Sequence, residues 1–180
     1  MTDNHVIKFA FLGAPSTGKT SLCKALAEKY DTVWMPEYGR EYWMEHQQER
    51  RLSPEQLVEI AEGHIEREDR LVAEAHRYLF VDTEAITTYH FAIDYHGEAH
   101  PRLQELAEEA EKRYEVFFLC AADIPYDDTW ERSGEQHRAE FQARLCEDLI
   151  NRRVPFTAVK GTLEQRVERV TSMLDDYTPI

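Results

Sequence analysis

The sequence predicts an α/β fold, a five-stranded, mainly parallel sheet with helices on both faces. Three observations predict it. Short apolar runs alternate with helical patterns along the chain, as expected of strands joined by crossover helices. The first apolar run, Phe9-Ala-Phe-Leu, passes straight into Gly13-Ala-Pro-Ser-Thr-Gly18-Lys19-Thr20 and then into a helical pattern, a strand–glycine loop–helix unit. No repeat, low-complexity tract or Pro/Gly-rich linker divides the 180 residues. One domain spanning residues 1–180 is therefore expected, long enough for a sizeable core.

The elements follow in order. The first strand is expected over residues 6–12. The helix after the glycine loop, residues 21–29, sets Leu22, Ala25 and Leu26 on one face. A second strand is expected at 32–35. A long helix then opens at Ser53-Pro54-Glu55-Gln56: Ser caps the orphan N–H groups, Pro fits the first turn, and Gln56 completes a capping box. Leu57, Ile60, Ala61, Ile65, Leu71 and Val72 recur behind it at helical spacing. A third strand is expected at 78–82, with a helical pattern from Glu84 onward. The charged run from Glu105 to Arg113 reads as a solvated helix face. Strands at 116–119 and 155–159 complete the sheet, and Thr162-Leu-Glu-Gln165 opens the last helix as Ser53 opened the long one.

Composition excludes several classes. Hydrophobic residues make up 42% and charged residues 31%, ordinary for a soluble chain. No run is long enough to cross a bilayer, and Met1-Thr-Asp-Asn-His5 lacks the basic and apolar regions of a secretory leader. Cys23, Cys120 and Cys146 have no metal or redox spacing and read as reduced packing residues of a cytoplasmic protein. The eight histidines likewise show no metal spacing. A formal net charge of −14 argues against nucleic acid as a partner. A strongly acidic chain that binds a polyanion must gather its cations locally, so arginines in loops carry information.

The glycine loop is a phosphate-binding (Walker A) loop of the P-loop NTPase type. Residues Gly13, Ala14, Pro15, Ser16, Thr17, Gly18, Lys19, Thr20 and Ser21 are expected to cradle the phosphates of ATP. Backbone N–H groups converge there, Lys19 reaches the β- and γ-phosphates, and Thr20 offers its hydroxyl to Mg²⁺. Asp82 ends the third apolar strand, at the carboxyl edge where ligands bind, and suits the metal opposite Thr20. Asp82 and Thr83 also suit a helix N-cap. Glu37-Tyr38-Gly39-Arg40-Glu41-Tyr42 follows the second strand. There an acid orients or deprotonates a hydroxyl acceptor and tyrosines stack on a ring, or else the block is a helix-initiating loop with an Arg–Glu pair. The interval 123–138 is polar, with Pro125, Gly134 and five acidic residues. It reads as a lid over bound ATP, in which Arg132 and Arg138 swing over the transferring phosphoryl. Gly161-Thr162 is the expected backbone contact for adenine.

Taken together, Gly13-Ala-Pro-Ser-Thr-Gly-Lys-Thr-Ser21, Pro36-Glu-Tyr-Gly-Arg-Glu-Tyr42 and Phe80-Val-Asp-Thr-Glu-Ala-Ile-Thr-Thr88 resemble one family. It is the ribosylnicotinamide (nicotinamide riboside) kinase domain at the C-terminal end of the bacterial bifunctional NAD-biosynthesis regulator. The resemblance runs over roughly residues 6–174. The P-loop is shared by a vast superfamily, and the acid–aromatic block spaced before Asp-Thr is more specific. The resemblance implies an adenylate-kinase or nucleoside-kinase-like sheet with a lid, and transfer of a phosphoryl group from ATP to the ribose 5′-hydroxyl of nicotinamide riboside, giving nicotinamide mononucleotide. It implies Glu37, Tyr38, Arg40, Asp82 and Thr83 at the nucleoside, Thr20 and Asp82 at Mg²⁺, and Arg132 and Arg138 in the lid. Larger members carry an adenylyltransferase domain and a DNA-binding segment ahead of the kinase; this sequence matches the kinase alone and is expected to act as a stand-alone domain. The family often shows Asp-Gly-x-Arg in the lid, where this chain has Thr129-Trp130-Glu131-Arg132. That departure bears on the acceptor more than on the reaction. A kinase for another nucleoside or small hydroxyl compound, and an ATP-binding switch or ATPase without an acceptor, stay open.

Overall fold

The computed structural model describes residues 5–126 and 134–175. Five strands, β1 (Ile7–Leu12), β2 (Trp34–Met35), β3 (Tyr78–Asp82), β4 (Val116–Cys120) and β5 (Phe156–Val159), form one sheet in the order β2-β3-β1-β4-β5. Every pairing is parallel. The helices are α1 (Lys19–Lys29), α2 (Tyr38–His46), α3 (Pro54–Leu71), α4 (Ala85–His96), α5 (Pro101–Glu109), α6 (Glu135–Asn151) and α7 (Leu163–Asp175).

The two-residue period of a strand divides β1 between two cores. Ile7, Phe9 and Phe11 join Phe80 and Phe118 beneath α1 and α7, with the Phe11 and Phe118 rings stacked 5.1 Å apart. Ala10 and Leu12 face the other layer, where Leu57 and Ile60 of α3, Ile86 of α4, Leu106 of α5 and Phe141 of α6 pack. Lys8 shares that second face and would be a buried charge. Its ammonium pairs with the fully buried Glu68 of α3 at 2.9 Å, and Glu68 is further held by Arg113 and Tyr114.

Several boundaries differ from the sequence-based expectation for physical reasons. The second strand shrinks to two residues because the Thr32 N–H is taken by Ala27 O at the end of α1. Thr32 joins β3 through its side chain instead, donating from Oγ1 to Tyr78 O. The acid–aromatic block after β2 is helical rather than loop. The capping box at Ser53 forms as expected, with the Gln56 N–H donating to Ser53 Oγ and the Ser53 N–H to Gln56 Oε1. The helix after the interval assigned to the lid starts at Glu135, so the last four residues of 123–138 are helical. Residues 127–133, which include Trp130 and Arg132, lie outside the described residues. Among the described residues no helix is long and apolar enough to cross a membrane.

Candidate active site

The turn out of β1 needs unusual backbone geometry, and the sequence supplies it. Gly13 has φ 148° and Gly18 φ 81°; a Cβ on Gly13 would lie 2.6 Å from Thr17 Oγ1 and 2.9 Å from Cys120 O. Only glycine admits so close an approach. Gly18 stands at the N-cap of α1, whose first turn holds no acid, so its exposed N–H groups and dipole meet no competing carboxylate of their own. Lys19, almost wholly buried, curls over the loop and donates to Gly13 O at 2.9 Å and Ala14 O at 3.0 Å. Thr17 Oγ1 donates to Ala14 O at 2.8 Å.

Asp82 arrives from β3 beside this loop. Thr20 Oγ1 donates to Asp82 Oδ2 at 2.5 Å, while Asp82 Oδ1 is buried with no hydrogen-bond partner among the described residues. Burial, then the negative charge of Glu37, push the Asp82 carboxyl well above the ordinary carboxylate range, against the pull of Lys19, the Thr20 hydroxyl and Arg40. The N-cap expected of Asp82 or Thr83 falls to Glu84, whose carboxylate accepts from the Ile86 N–H at 2.7 Å and the Thr87 N–H at 3.1 Å. Relieved of capping, Asp82 is available to the site.

A cleft of about 430 Å³ opens in front of the loop. Pro15 to Ser21 form one wall, and Glu37 and Arg40 stand opposite on the rim of α2. Beyond them the walls turn apolar and aromatic: Trp43 from α2, Leu57 and Ile60 from α3, Phe91 and Tyr95 from α4. Thr83, Thr87 and Thr88 edge the same recess. His64 of α3 also borders it; burial drives its imidazole down to about 4, against the upward pull of Glu68, so it is neutral at physiological pH. Residues 87, 91 and 95 recur at i, i+4 and i+8, and that stripe directly after Asp82 was the available sequence signal for the aromatic wall.

Some expected site residues go elsewhere. Tyr38 seats its ring on α3, against the bare Cα of Gly63 and beneath the Arg67 guanidinium 3.9 Å away. Ala14 turns its N–H from the cleft to Gln142 Oε1, at 2.8 Å. Arg138, expected in the lid, lies on α6, 4% exposed, and donates to Ser16 O at 3.1 Å and Ile124 O at 2.9 Å. The backbone groups expected to read adenine are committed internally. The Gly161 N–H goes to Asp123 Oδ2, the Thr162 N–H to Gln165 Oε1, and Gly161 O accepts from Arg166 Nε. Arg166, absent from the sequence reading, also donates to Thr17 O and Ala121 O and pairs with Asp123.

A glycine loop leading from a central parallel strand into a helix, with a lysine folded over it and a threonine–aspartate pair at its foot, defines a P-loop nucleotide-binding protein. The chain belongs to the AAA domain family, whose model matches residues 8–166. The trifunctional NAD biosynthesis/regulator protein NadR of Salmonella typhimurium is 32% identical over 176 residues, covering 93% of this chain and 42% of that protein. The chain thus spans less than half of that relative. A crystal structure of NadR protein in complex with NR has the same fold at a TM-score of 0.71 and 21% identity, over 94% of this chain and 51% of that one. A second, of NadR protein in complex with NAD and AMP-PNP, also gives 0.71 at 22% identity, over 94% and 49%.

Proposed function

We propose that this chain is an ATP-dependent kinase that phosphorylates the ribose 5′-hydroxyl of nicotinamide riboside, releasing nicotinamide mononucleotide and ADP. The observation that carries it is one cleft with two unlike halves, a phosphate loop and an aromatic recess, with Thr20 and Glu37 both in its lining and the buried Asp82 tied to it through the hydrogen bond from Thr20. The NR complex of a protein with this fold and the relationship to NadR support the acceptor. The AMP-PNP complex supports ATP.

The chemistry asked of the residues is positioning and charge neutralisation, because phosphoryl transfer passes through a loose transition state. Lys19 and the backbone N–H groups of residues 16–20 hold the β- and γ-phosphates. Thr20 and Asp82 fit Mg²⁺: a hydroxyl and a buried carboxylate with one oxygen unpartnered among the described residues are hard oxygen donors. When bound, the ion neutralises charge on the phosphates. Among the described residues no cluster of three His, Cys, Asp or Glu side chains could hold a metal alone, which suits an ion held jointly with a nucleotide. Glu37 or Asp82 takes the proton of the 5′-hydroxyl, and Arg40 steadies the acceptor from the rim. Trp43, Phe91 and Tyr95 line the half of the cleft that would take a planar base, where aromatic contact suits the base and a pyridinium would add cation–π attraction. Arg132 is assigned the lid cation and Arg138 the bracing of the loop from behind. Three free cysteines, two of them buried, suit a cytoplasmic setting.

An ADP-release assay with Mg-ATP against nicotinamide riboside, other nucleosides and thiamine tests this. Turnover stimulated by nicotinamide riboside, with the monophosphate identified by mass, is expected. Stimulation by a different compound alone would replace the acceptor and keep the kinase. ATP hydrolysis indifferent to every acceptor would point to a switch.

A further inference from the structure

Gln142 of α6 makes two hydrogen bonds that no feature of the glycine motif anticipates. Its Oε1 accepts from the Ala14 N–H at 2.8 Å, and its Nε2 donates to Cys120 O, the last residue of β4, at 3.0 Å. From these we infer that Gln142 is a positioning residue of the phosphate loop, setting its grip on nucleotide phosphates without touching them; the inference rests on the proposed role of that loop in binding ATP.

The peptide unit between Gly13 and Ala14 explains why. Its N–H belongs to Ala14 and its C=O to Gly13, and in a planar trans peptide the two point in opposite directions. Gln142 draws the N–H toward α6. The carbonyl must then face the other way, and Lys19 Nζ sits there, 2.9 Å from Gly13 O. One side-chain amide thereby fixes the plane of the peptide that holds the lysine of the motif. The bond to Cys120 O locks the amide itself, since reversing its oxygen and nitrogen would set donor against donor and acceptor against acceptor. Gly13 is already pressed on the same carbonyl, where a Cβ would lie 2.9 Å from Cys120 O, so the loop has no slack to find another partner for the N–H. Ala14 is fully buried, and an orphaned N–H there is costly. Arg138, one helical turn earlier, adds the opposite kind of contact, donating to Ser16 O. The helix α6, whose first turn falls within the interval assigned to the lid, therefore grips the loop at two points.

The test is calorimetric titration of Mg-ATP and Mg-ADP into the unaltered chain, Gln142→Leu, Gln142→Glu and Leu149→Ala, all well below their unfolding midpoints. Gln142→Leu should weaken both nucleotides by ~10-fold, the effect of one lost buried hydrogen-bond partner. Gln142→Glu keeps the acceptor for Ala14 but loses the bond to Cys120, and should weaken them by about 3-fold. Leu149, fully buried on the same helix, supplies the control: Leu149→Ala should lower the midpoint and leave affinity alone. In a Lys19→Ala background the effect of Gln142→Leu should shrink, because the two act through one peptide. Unchanged affinity in folded Gln142→Leu, or in Gln142→Glu if the leucine variant does not fold, would overturn the inference while leaving the kinase standing. A chain that bound no nucleotide before any substitution would instead overturn the ATP-binding role, and the inference with it.

Discussion

Asp82 sits where burial and a neighbouring carboxylate both oppose its charge, and a residue so placed is expected to trade stability for function. The sign follows from proton linkage. A carboxyl raised above its unfolded value contributes stability fully below the unfolded pKa, and that contribution is lost as pH rises through the folded one. Asp82→Asn keeps the shape and the partner for Thr20 but removes the charge. It should raise the unfolding midpoint at pH 8, narrow the gain toward pH 4, and lower turnover by ~100-fold or more. Thermal melts at the two pH values with a parallel rate assay would check this; a variant both less stable at pH 8 and fully active would contradict it. Asp82, Lys19 and Thr20 were legible in sequence because the motif and the strand end are local features. Gln142 and Arg166 were not, since their loop partners Ala14 and Thr17 lie 128 and 149 residues away and no short spacing records the contact. Arg138 was legible as a cation, but its burial depends on where α6 packs.

Elements were legible to the extent that their determinants are local. Ser53 and Gln56 sit three residues apart and cap each other, so α3 could be placed almost to the residue. The apolar runs of β1, β3 and β4 likewise need no partner to be recognised. By contrast, β2 is cut short by a hydrogen bond to the end of α1. The helix α2, nine residues long, carries too many polar groups for its pattern to stand out from a loop. Between α2 and α3 lies a tight hairpin in which Gln48 and Arg51 exchange both backbone hydrogen bonds, each 2.9 Å. Its two central residues, Glu49 and Arg50, have φ of 51° and 64°, a left-handed conformation that favours Asn and Gly. Leu52, the residue after the hairpin, is buried on the cleft wall, so the strain is held beside the acceptor recess. Replacing the pair by Asn-Gly should stabilise the chain by about 1 kcal/mol, or ~2–4 °C in midpoint. Scanning calorimetry decides it, and an unchanged or lower midpoint would mean that the turn is relaxed as it stands.

At the scale of the molecule, the sheet order β2-β3-β1-β4-β5 puts β1 in the centre, and β3 and β4 on its two sides carry the chain to opposite edges. The carboxyl end of β1 is the crevice where such sheets bind ligands, and here both helical layers converge on it. Arg138 and Gln142 hold the loop from the α6 layer, and Arg166 holds Thr17 O from the α7 layer. The recess for the acceptor is walled by α2, α3 and α4 of one layer only. A ligand bound to the loop therefore leans on every layer of the fold, and unfolding must release it. Mass action sets the size: nucleotide at 100 times its dissociation constant adds about 2.7 kcal/mol, which for a chain of 180 residues is ~5–10 °C in midpoint. Mg-ATP should produce that shift in the unaltered chain and lose most of it in Lys19→Ala. Nicotinamide riboside should add its own increment through the separate α2–α4 recess, in Lys19→Ala as in the unaltered chain, because its walls do not include the lysine's contacts. Thermal melts across these four combinations separate the two halves of the cleft. A nucleotide shift without any acceptor shift, from nicotinamide riboside or from other nucleosides, would leave a nucleotide-binding fold whose aromatic recess serves something other than a small hydroxyl acceptor.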